Sequence, residues 1–356
     1  MRHLRLSIIA AVVLVFWGCR DCFAGIRPSF LLDHCAWHAS DIIVATQGAE
    51  SDGKLTVLEK WKGSSKAGET ITIPELAGYK PEVSNPLGPD KEPPIKAVTG
   101  QRMILFVVRG TKVSETASQI EITWSSASIY KEMNVSMVWV EKGQVYNFCQ
   151  VLNPGPSLLI SLGRTEEQFK KDVEAVLADQ AKLQKAMVIK DPSERARCLK
   201  PMAAGRYAEL RQAAFGGLAE CGKPALPVIR EMIYDDSYDQ TSAVSILAKI
   251  AGEDAGPEMT RILKKELVFW RKLGPSLQVG WWNGKGLQPD EMSLYRNCYC
   301  RLGACVASLH GLKYKPAADA VKDLRALWTS FPQLDDKSGL NAITEGCDRY
   351  LKAIEQ

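Results

Sequence analysis

The chain has 356 residues, a length that suggests two or three domains. Hydrophobic residues make up 46% and charged residues 24%, as in ordinary soluble globular proteins, which excludes a largely disordered chain. The net charge of +4 comes with no basic run, which excludes the strongly positive surface typical of nucleic-acid-binding proteins.

The first 24 residues predict a secretory signal peptide. They comprise a basic start, MRHLRL, an apolar run, SIIAAVVLVFWG, and small residues that favour cleavage after Ala24. The alternative is lipidation at Cys19, which is disfavoured because the bulky Trp17 stands where that signal requires a small residue. No later run is apolar enough to span a membrane. Cleavage leaves 42 basic and 40 acidic residues, a net charge of +2, in a periplasmic or extracellular protein.

From Asp33 to about Pro156 the sequence predicts an antiparallel β domain. The proline-rich stretch 79–100 predicts a long surface loop, because its five prolines preclude a central strand. Trp124, Tyr130, Trp139 and Tyr146 are predicted to lie in the β core. SDGK and EKGQ have the composition of hairpin turns. The strand-like runs are DIIVAT, KLTVLEKW, ETITIPEL, QRMILFVV, IEITW, SMVWV and QVYNF.

A cysteine followed by SDIIVATQG, VLEKWKG and GQRMILFV resembles the netrin-like, tissue-inhibitor-of-metalloprotease-like OB barrel of secreted proteins. The matching residues are Cys35, 40–44, 61–63 and 100–107. The resemblance implies an OB-like barrel. It does not extend to protease inhibition, which in that family requires an N-terminal cysteine, because about ten residues precede Cys35 after cleavage.

At NPGPS, residues 153–157, the hydrophobic period changes to that of helices. TEEQ at 165–168 is a capping box, and DPSE from Asp191 starts another helix. Beyond it, amphipathic helix pairs recur at a spacing of 29 to 30 residues, with a third copy from Leu302. The first copy sets Leu210, Ala214, Gly217, Leu218 and Cys221 on one face, and the three copies together predict stacked pairs that share one core.

The pattern AAFGGLAECGKPALPVI resembles HEAT-type repeats of the short kind found in phycobilisome-lyase-like proteins, over about residues 205–330. The resemblance implies an α-solenoid. The predicted fold class is therefore α+β in separate domains, an OB-like β-barrel followed by a solenoid of HEAT-like helix pairs. The predicted boundaries are 25–157 for the β domain, 158–204 for linking helices and 205–356 for the repeats, with an insertion at about 274–292.

An exported chain with an even number of cysteines predicts disulfides. Connectivity stays open, with Cys35 and Cys149 as a candidate first pair and a second pair among the last four cysteines. The eight cysteines of the mature chain are Cys35, Cys149, Cys198, Cys221, Cys298, Cys300, Cys305 and Cys347.

Two clusters could instead bind a metal. One comprises Cys298, Cys300 and His310, but cysteines two positions apart on a helix point about 200° away from each other. The other comprises His34 and His38 around Cys35, and it needs a further ligand from elsewhere. The favoured interpretation is structural in both places: paired or buried cysteines in the first, and the start of the first strand in the second. No cofactor is predicted.

The sequence contains no HExxH, GxSxG, P-loop or GxGxxG motif. SIYK at 128–131 has the Ser-x-x-Lys spacing of penicillin-binding enzymes, but no SDN or KTG follows it. Trp281 and Trp282 lie in the insertion that interrupts the repeats, and insertions in solenoids often form binding faces. The favoured hypothesis is a non-enzymatic protein-binding adaptor that uses these tryptophans. The alternatives are a small-ligand, glycan or metal-binding envelope module, or an envelope hydrolase without a recognised motif.

Overall fold

The computed structural model describes residues 30–48, 52–77, 100, 102–113, 120–129, 131, 133–150, 157–273, 289–330 and 341–356. The chain divides into two compact units, Met1–Ala178 and Asp179–Gln356. All the described strands lie in the first unit, and the second unit is helical, in agreement with the predicted α+β class. No helix among the described residues is long and apolar enough to cross a membrane.

The first unit is built on one antiparallel sheet. Along the sheet the order is β3-β2-β1-β4-β6-β7-β8, and β5 pairs with β4. The sheet is not closed by hydrogen bonds among the described strands, so the predicted barrel remains a proposal. The strands are β1 (Asp41–Gln47), β2 (Asp52–Lys62), β3 (Thr70–Ala77), β4 (Arg102–Val113), β5 (Ile120–Ser126), β6 (Met137–Glu141), β7 (Gln144–Gln150) and β8 (Ser157–Thr165).

All seven predicted strand runs form strands, and one further strand was missed. The EKGQ turn is confirmed, because Lys142 and Gly143 both have positive φ, at 47° and 75°, as a two-residue hairpin turn of the primed type requires. The missed strand is β8, which begins at the predicted boundary, residue 157, and pairs with β7. The long loop predicted at 79–100 lies almost entirely outside the described residues.

The sheet buries apolar side chains on both faces. One face carries Trp124, Trp139 and Met137 in a large core cluster, with Tyr146 packed against it. These positions confirm the predicted core roles of Trp124, Trp139 and Tyr146, whereas Tyr130 lies outside the described residues. On the opposite face, Phe106 of β4 packs against Phe30 and Phe169, with ring centroids 5.1 and 6.2 Å away.

One helix precedes the sheet in the sequence, and another follows it and continues past Ala178, the last residue of the first unit. Helix α1 (Leu32–His38) stands where the sequence predicted only the start of the first strand. Helix α2 (Glu166–Met187) begins with the predicted capping box, in which Thr165 and Gln168 exchange hydrogen bonds of 3.0 and 3.2 Å. Glu166 accepts hydrogen bonds from Arg102 on β4, the shortest 2.6 Å, so the start of α2 is tied to the sheet.

Strand β1 is anchored by a buried carboxylate at its first residue. Asp41 is 2% exposed, and its Oδ1 accepts hydrogen bonds from the backbone amides of Ser64 and Ser65 at 2.8 and 3.2 Å. The hydroxyl of Ser40 donates to Oδ2 at 2.9 Å. Gly63 adjoins this site with φ +94°, and a Cβ there would lie 2.2 Å from Asp41 Oδ1. The loop after β2 is therefore shaped around one carboxylate.

The second unit is helical. Helices α4 and α6, α6 and α8, and α7 and α9 lie in contact. Whether the stack forms a solenoid remains a proposal. The helices are α3 (Pro192–Ala203), α4 (Ala208–Cys221), α5 (Leu226–Met232), α6 (Gln240–Ala251), α7 (Gly256–Leu273), α8 (Pro289–Leu312), α9 (Ala318–Thr329) and α10 (Asn341–Glu355).

The three helix pairs share one connection. A residue with positive φ follows or ends the first helix, at Gly222, Gly252 and Lys313, with φ between 50° and 66°. A 3₁₀ turn follows in each case, at Lys223–Ala225, Gly252–Ala255 and Lys315–Ala317. A positive-φ residue followed by a 3₁₀ turn therefore recurs where the sequence repeats, although Tyr314 separates the two in the third pair.

The predicted apolar stripes are mostly buried. All five predicted residues of the first stripe are buried. The helical spacing of the second run and of the later copies also predicts burial of five residues that are only partly buried: Leu226, Ile246, Ile250, Leu312 and Leu327. Val228, Val244 and Trp328 are buried instead.

Candidate functional site

The structure separates the residues of the HCAWH cluster. His34 and His38 lie one turn apart on α1, with ring centroids 4.4 Å apart. Cys35 points into the core, where its thiol donates to the carbonyl of Val135 across 3.7 Å. The two imidazoles are therefore brought together without the thiol between them.

The residues of the second cysteine cluster are spread along α8. Cys300 and His310 are both exposed, and ten helical residues separate them by about 15 Å along the axis. Cys305 is fully buried on the core side. The backbone of Cys298 is described, but its side chain is not. Cys300 and His310 therefore do not converge on one ion.

No disulfide joins any two of the six cysteines whose side chains the structure describes, which are Cys35, Cys198, Cys221, Cys300, Cys305 and Cys347. The side chain of Cys149 lies outside the described set. Oxidation in an exported protein stays a prediction.

The structure gives no support to the remaining sequence candidates, which are the two tryptophans of the insertion and the Ser-x-x-Lys pair. Trp281 and Trp282 lie outside the described residues. Ser128 is buried and shares a 2.8 Å hydrogen bond with Ser126, and Lys131 is exposed. The Ser-x-x-Lys pair is therefore split between a buried hydroxyl and an exposed lysine.

A basic surface lies on the exposed face of α7. Five cations recur at spacings of three, four and seven residues along this helix, and Val268, 55% exposed, lies among them. Lys264, Lys265 and Lys272 form no ion pair with any described residue. The other two cations approach carboxylates only at 3.9 Å. We call this surface the α7 basic face, and its cations are Arg261, Lys264, Lys265, Arg271 and Lys272.

A groove with a volume of about 560 Å³ runs along the flank of α7. It is formed by residues of α7, of α8 and of the segment that joins α5 to α6. This volume lies within the range typical of ligand-binding pockets. The lining residues are Tyr234, Asp236, Lys265, Glu266, Val268, Phe269, Lys272 and Arg301.

A buried ion pair borders the groove. Arg301 donates to Oε1 of Glu266 from Nε at 2.9 Å, and its Nη2 lies 2.6 Å from the same oxygen. Nη1 donates to Gln240 at 2.9 Å and to the carbonyl of Ile233 at 3.2 Å. Gln240 in turn donates to Asp236 at 2.8 Å. This network fixes the loop that follows α5 against α7 and α8.

Glu266 keeps one acceptor unused. Both contacts from Arg301 fall on Oε1, while Oε2 is buried and has no hydrogen-bond partner among the described residues. The side chain of Glu266 is 3% exposed. A desolvated carboxylate oxygen without a donor is costly, so this atom marks a place where a donor would bind favourably.

Tyr234 combines an aromatic surface with a hydroxyl at the groove. The ammonium of Lys265 lies 4.7 Å from the centre of its ring, a cation–π geometry. Partial burial raises the pKa of the Tyr234 hydroxyl, and the nearby Arg261 offsets only part of that rise. The hydroxyl therefore stays protonated at neutral pH.

Comparison with protein-family models, curated proteins and solved structures finds no match to this chain. The groove must therefore be interpreted from its own chemistry. Its lining combines three apolar or aromatic side chains with two lysines, an exposed carboxylate and the buried ion pair. These groups recognise charge and donate or accept hydrogen bonds. The eight lining residues include no serine, cysteine or histidine nucleophile.

Sequence reasoning missed this site, although a signal was present. A search for consecutive basic residues finds nothing, because the cations of α7 are interleaved with buried residues. A search at helical spacing would have placed all five cations on one face. Glu266 and Arg301 lie 35 residues apart on different helices, and no local pattern connects them.

Proposed function

We propose that this chain is an exported, non-enzymatic protein-binding protein whose helical unit carries the partner-binding surface. The observation that carries the proposal is the α7 basic face beside the groove, with three lysines that have no ion-pair partner among the described residues. Exposed cations around exposed apolar groups are typical of surfaces that meet a complementary partner. The OB-like β unit and the HEAT-like solenoid are part of the same proposal.

The insertion at about 274–292 is the second proposed contact surface. It follows α7 directly in the sequence, and Trp281 and Trp282 supply aromatic side chains of the kind that anchor interfaces. Replacing both tryptophans by alanine is expected to weaken partner capture and to leave the helical circular dichroism unchanged.

Photo-crosslinking tests the proposal. A photoreactive amino acid replaces Val268 on the basic face, and in a matched control it replaces Val188, which is 78% exposed in the same unit. Both proteins are irradiated in their native envelope and the products are identified by mass spectrometry. One recurrent protein captured from position 268 and not from position 188 supports protein binding. No capture from position 268 contradicts it.

A small-ligand function is the second candidate, and the groove favours it specifically. Its volume suits a metabolite, and Glu266 Oε2 offers an unused acceptor. Native mass spectrometry of protein purified from its own source distinguishes the two functions. A stoichiometric small molecule lost on replacing Lys265 and Lys272 by glutamate would favour the ligand over the protein partner.

A further inference from the structure

Helix α7 presents a row of exposed cations beside the groove. Lys265 and Lys272 line the groove itself, and Arg261, Lys264 and Arg271 extend the positive surface along the same face of α7. Helix α7 carries these five cations against two carboxylates, Glu258 and Glu266, which leaves a net positive charge on the helix. A surface of this kind attracts an anionic partner and repels a cationic one.

The groove also offers apolar contact between the charges. Val268 stands between Lys265 and Lys272 with 55% of its surface exposed. Phe269 and Tyr234 line the same groove. A bound group that carried only negative charge would leave these surfaces in water. An occupant with acidic groups and at least one apolar side chain covers both kinds of lining residue.

Glu266 adds a requirement for a donor. Its Oε2 is buried beside the groove and receives no hydrogen bond from a described residue. An anionic occupant without any N–H group would bring a second negative charge near this oxygen and leave it unsatisfied. A peptide backbone supplies N–H donors together with acidic and apolar side chains, so one extended segment meets all three conditions.

We infer that the groove beside α7 binds an extended acidic segment of a partner protein, one that carries an apolar side chain between its acids. Lys265 and Lys272 contact the acids, Val268 and Phe269 contact the apolar side chain, and Glu266 accepts a backbone N–H directly or through water. This inference rests on the proposed protein-binding function, and it names the chemistry of the partner.

An anionic membrane is the competing occupant. Membrane-surface helices present a broad apolar face that enters the lipid, beside a basic polar face. On α7 the basic face exposes only Val268, and the apolar residues opposite it, Met259, Ile262, Leu263 and Trp270, are buried in the unit. A flat headgroup layer also leaves the concave groove and Glu266 unused. The peptide segment is therefore favoured.

Peptide selection tests the inference. Random peptides of about twelve residues, displayed on phage, are selected on the full mature chain at low salt. The expected selected set is enriched in Asp and Glu around Leu, Ile, Val or Phe, relative to the input library. A synthetic peptide of the selected consensus should lose affinity by about tenfold or more with Lys265→Glu and Lys272→Glu combined.

The matched control is Lys249→Glu with Lys322→Glu, which makes the same charge change at exposed lysines outside the groove. This control should retain the consensus affinity within about twofold, because exposed distant charges are screened. Glu266→Gln places an N–H donor where the acceptor stood and should weaken the peptide. It also removes the counter-charge of the buried Arg301, so its helical circular dichroism is measured first. If that variant unfolds, the lysine pair and its control still decide the question.

Three results overturn the inference. One is a selected set with no acidic enrichment. Another is equal loss of affinity in the groove and control variants. A third is selective binding of phosphatidylglycerol vesicles, lost in the Lys265 and Lys272 variant, without binding of acidic peptides. If selection fails while the probe at Val268 still captures one protein, the partner chemistry is wrong and the protein-binding function stands.

Discussion

Arg301→Met isolates the buried ion pair of the helical unit. The side chains of Arg301 and Glu266 are 8% and 3% exposed, so removal of the guanidinium leaves a carboxylate buried without its counter-charge. Breaking such a pair costs about 3–5 kcal/mol of unfolding free energy. The loss of donors to Gln240 and to the carbonyl of Ile233 acts in the same direction.

A second variant separates the charge effect from the lost hydrogen bonds. Arg301→Met with Glu266→Leu removes both charges and leaves only Gln240 and Ile233 without their donor. The double variant should cost about 1–3 kcal/mol, less than the single variant, because replacement of a whole buried pair is often close to neutral. The difference between the two is the cost of leaving the Glu266 carboxylate buried once Arg301 is absent.

Urea unfolding followed by helical circular dichroism measures both variants. With a slope of about 2 kcal/mol per M, the single variant should unfold at a urea concentration about 1.5–2.5 M lower than the wild type. The slope itself should be unchanged if the native unit keeps its structure. A double variant as unstable as Arg301→Met would refute the reasoning, because the buried carboxylate would then contribute nothing to the loss.

Three further predictions concern the first unit and the thiols. Gly68→Ala should destabilise the β unit by roughly 1 kcal/mol, because φ is positive there, and Gly63→Ala should destabilise it by well over that amount. Both glycines have positive φ, but only at Gly63 would the added Cβ clash with Asp41. Thermal unfolding of the two variants measures the difference. Burial raises the pKa of Asp41, but hydrogen bonds from Ser40, Ser64 and Ser65 outweigh it and leave the pKa below 3.8. The stability contributed by Asp41 is therefore present above about pH 4 and is lost in more acidic solution; urea titrations across that range should show a smaller acid loss in Asp41→Asn. Burial raises the pKa of the Cys347 thiol to about 12 and also raises that of Cys305. Alkylation of the native protein should therefore label Cys198 and spare these two cysteines, as measured by peptide mass spectrometry. Equal labelling of all three would mean that the core beside α8 is open to the reagent.

The sequence predicted those elements whose signals are local. The capping box at Thr165 appears as predicted because reciprocal hydrogen bonds need only four consecutive residues. The stripe from Leu210 to Cys221 is buried as predicted, since helical spacing alone sets the face. Strand β8 was missed because its sequence, SLLISLGRT, has an apolar start and a glycine, and its pairing with β7 is decided by tertiary contact.

The site was less predictable than the fold. The cysteine and histidine clusters were conspicuous by composition, yet Cys35 turns into the core and Cys300 lies far from His310. Burial decided these outcomes, and burial depends on contacts between distant segments. The groove is the reverse case, because its residues are not conspicuous in the sequence. The lysines on α7 form no run, and Glu266 stands out only because Arg301 packs beside it in the structure.

The buried carboxylate at the start of β1 also bears on how the sheet pairs correctly. Residues 42–45 are fully buried on both faces, so a shift of one residue against β2 or β4 would still point apolar side chains inward. Hydrophobic pattern therefore discriminates poorly between the native alignment and its neighbours. Asp41 supplies the discrimination, because only one alignment delivers its carboxylate to the amides of Ser64 and Ser65. Asp41 thereby favours the native register of a strand whose hydrophobic pattern alone would allow several, and it disfavours misaligned pairing and the aggregation that follows from it.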